Sequence, residues 1–253
     1  RLRGPSHVNQ ILSTNEQTAL VTGWDETPID NHLFEIALDG SGYQQLTTQT
    51  GVHEVVVAQG TSLFLDRYSS LKTPLRITLN DMNEGELQVL AEETISADHR
   101  YAPFAEHHVT AQFGTVLSHG HELHYRLTPP AKIQGKHPTI VYVYGGPGAQ
   151  KVRRDWGTLL VQLFAQRGYG VLELDNRGAT NRGSLFEAPL YKKMGSIEVE
   201  DQLLGTQILA NESWADPQRV GVFGHSYGGY MTLMCLSQAG HCFKAGVAVA
   251  PVA

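Results

Sequence analysis

The stretch RVGVFGHSYGGYMTLM, residues 219–234, constrains the fold more than any other part of this chain. An apolar run ends in Gly-His-Ser-Tyr-Gly-Gly, and the pattern leaves that turn as a helix. A corner of this kind joins an apolar strand to a helix, the strand–turn–helix context that a nucleophile elbow requires. Gly224-His225-Ser226-Tyr227-Gly228 fits G-x-S-x-G, in which tight flanking positions demand glycine and the serine takes strained dihedrals. That geometry lifts the Ser226 hydroxyl above the sheet, and the helix N-terminus behind it favours developing negative charge. An ordinary glycine-rich turn shares the five-residue pattern. The strand before it and the helix after it favour a nucleophile.

The rest of the second half supplies that sheet. HPTIVYVYGGPG (137–148) and YGVLELD (169–175) read as buried strands, and FKAGVAVAPV (243–252) as a last one. KVRRDWGTLLVQLFAQRG (151–168) is expected to be a helix stopped by Gly168. Ser196 is expected to cap a second helix, SIEVEDQLLGTQILAN, that places Ile197, Leu204 and Ile208 on one face. A hairpin, TAQFGTVLSHGHELHYRLTPP, precedes them. Alternating strands and helices of this length predict a mostly parallel, doubly wound α/β sheet with helices on both faces.

Residues 1 to about 98 are different. TALVTGW, HLFEIALDG, EVVVAQG, SLFLDRY, PLRITLND and LQVLAEE are short β-rich runs bounded by turn residues. The segment TALVTG–HLFEIALDGSG–QLT echoes TSLFLD–PLRITLNDMNEG–LQVL at a displacement of roughly 42 residues. Four strands per repeat suggest propeller blades, with a small antiparallel sandwich as the alternative.

Composition excludes several classes. Hydrophobic content of 41% and charged content of 17% are globular values. A formal charge of −6 with no Lys/Arg run argues against nucleic-acid binding. No apolar stretch approaches the ~20 residues of a membrane helix, and RLRGPSHVNQ is not a signal peptide. Cys235 and Cys242 lack metal-ligand spacing and read as buried thiols rather than a disulfide framework. His107, His108, His119, His121, His124 and His137 include His-x-His spacings that could suggest a metal, but exposed hairpin residues explain them better. No cofactor or metal is expected, and the compartment stays open between cytoplasm and periplasm for a soluble protein.

An acyl-transfer serine needs donors for an oxyanion. The backbone N–H of Tyr227 is one, and the loop in YVYGGPG is placed to supply the second. VYVYGGPGAQ, LELDNRGATNRG, MGSIEVEDQ and GHSYGGYMTLM…FKAGVAVAPV occur in the order and spacing of the prolyl oligopeptidase family of serine peptidases. They resemble most its dipeptidyl-peptidase IV branch. The resemblance covers 137–253 well and the first hundred residues more weakly. It implies an α/β-hydrolase fold over 106–253, preceded by the last blades of a β-propeller over 1–105.

By the same resemblance Ser226 is the nucleophile and the Tyr144 hydroxyl the second oxyanion donor. Tyr227 adds its N–H and a ring wall for the residue before the scissile bond. Asp175, Arg177, Glu200 and Asp201 match motifs read as structural. The implied activity removes N-terminal dipeptides from peptide substrates, after proline or alanine, and the complete enzyme is expected to be a homodimer. Tripeptidyl, acylaminoacyl or endo-acting relatives and an esterase remain alternatives; Tyr144 in YGGPG argues against the last, since esterases use backbone donors of an HGGG-type loop. The branch commonly has Trp where this chain has His225, which is expected to pack rather than act as a base. The acid and base should follow the serine as Asp, then His. His241 is too far along the helix, and no Asp or Glu follows Ser226. The chain is therefore expected to be a piece of a longer enzyme, incomplete at the C-terminal end of its sheet.

Overall fold

The structure, a computed structural model, describes residues 3–252. It divides into two compact units: the chain up to Pro103 together with Arg153–Gly157, and the remainder from Phe104.

The first unit holds two four-stranded antiparallel sheets in simple sequence order. One comprises β1 (His7–Thr14), β2 (Thr18–Trp24), β3 (His32–Ala37) and β4 (Tyr43–Gln45). The other comprises β5 (Val52–Val57), β6 (Leu63–Ser69), β7 (Arg76–Asp81) and β8 (Gly85–Glu92). The repeat seen in the sequence is thus a four-stranded meander made twice. Leu20 of β2, Leu33 of β3 and Phe64 of β6 form a shared core with Leu12, Val55 and Val57 packed against it, which joins the two sheets. Neither β1 nor β4 stands out as a strand in the sequence. β1 is mostly exposed, so HVNQILST lacks the alternation that a half-buried strand would impose.

A helical turn, α1 (Ala102–Ala105), leads into the second unit. Its six-stranded sheet has the order β14-β13-β11-β12-β10-β9. These strands are β9 (Gln112–Ser118), β10 (His121–Thr128), β11 (His137–Tyr142), β12 (Gly170–Leu174), β13 (Ala215–His225) and β14 (Phe243–Val249). β9 and β10 are the expected hairpin, closed by His119 and Gly120, both at positive φ. From β12 through β11 and β13 to β14 every pair is parallel. Val141 of β11, Leu172 of β12 and Val222 of β13 lie in one core with Met231 and Cys235 of the helix after the elbow.

The helices differ from expectation in instructive ways. α2 covers only Leu159–Gln166. The residues before it stay extended because Asp175 accepts the N–H groups of Lys151 (2.7 Å) and Val152 (3.1 Å), while Arg153–Gly157 belongs to the first unit. Gly168, at φ 83°, follows the end of α2 as expected. α3 (Ser184–Glu187) is a single turn. α4 runs over Ile197–Gly205 and tightens into a 3₁₀ segment, Thr206–Asn211. Ser196 does not cap α4 with its side chain; its hydroxyl donates back to the Lys193 carbonyl. The buried face of α4 carries Glu198, Val199, Asp201, Gln202 and Gly205, whereas Ile197, Leu204 and Ile208 are only half-buried. α5 (Tyr227–Gln238) follows the serine directly.

Candidate active site

The elbow has the predicted geometry. Ser226, between β13 and α5, takes φ 59° and ψ −119°, a conformation that costs a non-glycine residue free energy and persists only where surroundings enforce it. The enforcement is visible on both sides. The Ser226 N–H donates to the Val249 carbonyl of β14 (2.9 Å), and its own carbonyl accepts the Tyr230 N–H of α5 (3.1 Å). A Cβ on Gly224 would overlap the Gly228 backbone, and one on Gly228 would overlap the Val143 carbonyl. Only glycine lets strand and helix approach this closely.

The YGGPG loop lies against the same corner. The Val143 N–H donates to the Phe223 carbonyl (2.9 Å), which holds the start of the loop beside β13. Fully buried Asn176 donates to the Gly145 carbonyl (3.0 Å) and receives the Gln202 amide at its own oxygen (2.9 Å). Gly146 packs flat on the Tyr227 ring, where a Cβ would collide with the ring carbons. The Tyr144 and Tyr227 rings are 6.0 Å apart, and Tyr230 meets Tyr227 edge-on at 5.5 Å. Tyr144, Ser226 and Tyr227 are thereby gathered at one end of the parallel strands. As the first residue of α5, Tyr227 has a backbone N–H with no intrahelical acceptor.

A buried polar layer stands behind this corner. Arg177 donates through Nε (2.9 Å) and Nη2 (2.8 Å) to Asp201, which also accepts the Ser118 hydroxyl (2.7 Å). Glu200 takes a further Arg177 bond (3.1 Å) and one from His119 (2.8 Å). Burial pushes the Asp175 carboxyl up to about 6, against the two backbone donors that favour its charge. Glu198 is fully buried and accepts the Tyr227 hydroxyl at 2.9 Å. Burial, then this bond, hold the Tyr227 phenol well above its ordinary pKa, so it remains a donor.

No histidine or carboxylate hydrogen-bonds the Ser226 hydroxyl among the described residues. His225 is exposed rather than packed. His241 is exposed beyond α5. The upstream histidines are committed elsewhere. His137 donates from Nδ1 to the Gly168 carbonyl (2.9 Å) and accepts the Gln134 N–H at Nε2 (2.9 Å). The His121 ring meets Phe186 edge-on, and burial lowers the His124 pKa to about 4. Among the described residues no group of three or more His, Cys, Asp or Glu could hold a metal. Cys235 and Cys242 are free thiols, Cys235 buried and Cys242 half-buried.

Known proteins share both the sequence and the shape. The model of the prolyl oligopeptidase family matches residues 157–253, and that of the dipeptidyl peptidase IV N-terminal region matches residues 3–75. The sequence of residues 157–253 is that of the prolyl oligopeptidase family. Dipeptidyl peptidase 8 of Homo sapiens is 32% identical over 244 residues, spanning 91% of this chain and 27% of that protein. The Mus musculus protein of the same name is also 32% identical, over 240 residues and the same shares. The crystal structure of Porphyromonas gingivalis dipeptidyl peptidase 4 superposes with a TM-score of 0.88 at 26% identity, covering 99% of this chain and 36% of that one. The chain therefore spans about a quarter of the length of the curated relatives it matches.

Within the prolyl oligopeptidase family frame, the two meanders are β-propeller blades and the six-stranded sheet is α/β-hydrolase sheet. No helix among the described residues is long and apolar enough to cross a membrane. Glu198 is the residue at this site that the sequence reading missed. The available signal was an acidic residue in the first turn of a helix, which is common and points to no partner.

Proposed function

We propose that this chain carries the nucleophile and the oxyanion donors of a serine peptidase that removes N-terminal dipeptides, after proline or alanine, from peptide substrates. The observation that carries the reading is the strained Ser226 backbone, held by glycine contacts between β13 and α5 beside the Tyr144 loop. The names of the relatives supply the dipeptidyl specificity. In the proposed roles residues 1–105 are the last propeller blades, and 106–253 the first part of the catalytic domain.

The chemistry runs in two halves. The Ser226 Oγ attacks the scissile carbonyl carbon while a base takes the hydroxyl proton. The carbonyl π electrons move onto oxygen, and that oxyanion is held by the Tyr227 N–H and the Tyr144 O–H. Collapse expels the amine, which takes a proton from the protonated base, and leaves an acyl-Ser226 ester. Water then attacks the ester while the base takes its proton; as the Oγ–carbon bond breaks the base returns that proton to Oγ, which restores Ser226 and releases the dipeptide acid. The base and its orienting acid belong to residues outside this site as described.

The test is Ser226→Ala in the full-length protein. Loss of both turnover of a chromogenic dipeptide-proline substrate and labelling by an organophosphonate is expected. A mutant that still turns over or still labels at this site would remove Ser226 from the mechanism.

A further inference from the structure

Glu198 is a fully buried carboxylate that none of the catalytic roles above uses. Its Oε1 accepts the Gly195 N–H (2.5 Å) and the Tyr227 O–H (2.9 Å), and its Oε2 accepts the Ser196 N–H (3.0 Å). Every one of these donors is neutral, and no Lys, Arg or His pairs with Glu198 among the described residues. Burying a carboxylate without a counter-ion is costly, and the positive end of α4 offsets only part of that cost. A glutamine would set its NH2 against one of these donors and an apolar residue would leave all three unpaired, so the site calls for a group that only accepts. What the charge supplies is a strong, directed acceptor for one phenol.

That phenol is well placed to transmit its position. The Tyr227 side chain starts at the backbone whose N–H is the first oxyanion donor. Its ring lies flat on Gly146, 6.0 Å from the ring of the second donor, Tyr144. Moving the ring moves the elbow on one side and the YGGPG loop on the other.

We propose that Glu198 is a positioning residue: through the Tyr227 hydroxyl it fixes the Ser226 elbow against the Tyr144–Gly146 loop and so sets the geometry of the oxyanion donors. The proposal rests on the functional reading of Ser226 and Tyr144 given above. The charge on Glu198 acts at a distance from the reacting atoms and touches no substrate.

The experiment uses the full-length protein with Glu198→Gln, Tyr227→Phe and the double variant. Misplacing reacting groups by about 1 Å costs on the order of 10²-fold, so kcat is expected to fall by roughly 10- to 100-fold in each single variant while KM stays within about twofold. Affinity for a peptide boronate, which forms a tetrahedral adduct on the serine, should fall by the same factor, and affinity for the dipeptide product should not. The double variant should lose less than the two single losses combined, because both changes weaken the same Glu198–Tyr227 contact, the glutamine by removing its charge and the phenylalanine by removing its donor. A helix-capping role alone would lower the melting temperature without this kcat-against-KM split. If Glu198→Gln fails to fold, Tyr227→Phe keeps the carboxylate and its backbone donors and carries the test. Normal kcat and boronate affinity in a folded Tyr227→Phe or Glu198→Gln, or losses that add in the double variant, would overturn the proposal. Ser226→Ala with retained turnover would overturn the functional reading and this proposal together, which keeps the two failures distinct.

Discussion

Glu198 and Asp201 lie on the same buried face of α4, both fully shielded from solvent, and they resolve that burial in opposite ways. Asp201 meets a cation: the Arg177 guanidinium and backbone N–H, with the Ser118 hydroxyl filling the remaining valence. Glu198 meets only neutral donors, one of them the phenol of Tyr227, the residue after Ser226. The pair shows that burial alone says little about what a carboxylate is for. Asp201 ties β9, α4 and the strand end at Arg177 into one body, so it should govern cohesion. In the proposed mechanism Glu198 ends on the residue that supplies an oxyanion donor, so it should govern rate.

The largest expected effect tests the Asp201 half. Asp201→Ala leaves the Arg177 guanidinium buried without its main partner, and removing one member of a buried pair costs about 3–5 kcal/mol. Thermal or urea unfolding should show that loss in the second unit. At temperatures where circular dichroism remains native, kcat should stay within about twofold of wild type. A collapse of kcat in the folded variant would erase the contrast between the two carboxylates.

The next effect is on rate alone. Tyr144→Phe removes a hydroxyl and no packing volume, so kcat is expected to fall by roughly 10²–10³, the size of losing one oxyanion donor. KM should move little, since the bond strengthens chiefly in the transition state. Steady-state kinetics beside a melting curve measures both. Unchanged kcat would mean that Tyr144 only packs on Tyr227, and would leave the Glu198 side only the elbow and the Tyr227 N–H to position.

These two halves were unequally legible in the sequence. The elbow could be read because part of its demand is local: Gly224 must be glycine because of the Gly228 backbone four residues on, although Gly228 answers to the distant Val143 carbonyl. The blades could be read because TALVTGW and HLFEIALDG carry their burial in short runs. Glu198 could not be read, because its partner lies 29 residues further along and no periodicity links a helix acid to a distant tyrosine. For the same reason the expected apolar face of α4, through Ile197, Leu204 and Ile208, came out half-buried. Tertiary hydrogen bonds put Glu198, Asp201 and Gln202 inward instead, and composition gives no hint that polar residues will be so fully partnered. The helix expected from Lys151 failed similarly, since it takes Asp175 to hold Lys151 and Val152 extended.

A smaller effect should appear where the two halves meet. Gly146→Ala adds a Cβ that overlaps the Tyr227 ring, and overpacking a well-filled site costs about 1–3 kcal/mol. Here stability and kcat should fall together, because the ring that yields is the one Glu198 holds. Differential scanning calorimetry with kinetics on the same preparation would show it. A stability loss with normal kcat would mean that the ring can shift without disturbing the donors, which weakens the link from Glu198 to rate.

The smallest effect is expected at the rim of the Asp201 side. His119 donates to Glu200 at 2.8 Å, and that bond is the first reason the Glu200 carboxyl lies below its usual pKa. A depressed carboxyl contributes stability above its unfolded pKa and loses it as pH falls through the folded value. Both side chains are more than half exposed, however, at 60% and 53%, so water and salt screen the pair. Exposed pairs are typically worth no more than about 1 kcal/mol. Glu200 also keeps its Arg177 bond when His119 is removed. His119→Ala should therefore change unfolding free energy by less than about 0.5 kcal/mol, with a pH dependence near wild type down to the carboxylate range. Urea melts at pH 7 and pH 4.5 give the measurement. A loss approaching that of Asp201→Ala would mean that the Arg177 network is held from its exposed end, and that the buried Asp201 contact is not what makes this side cohere.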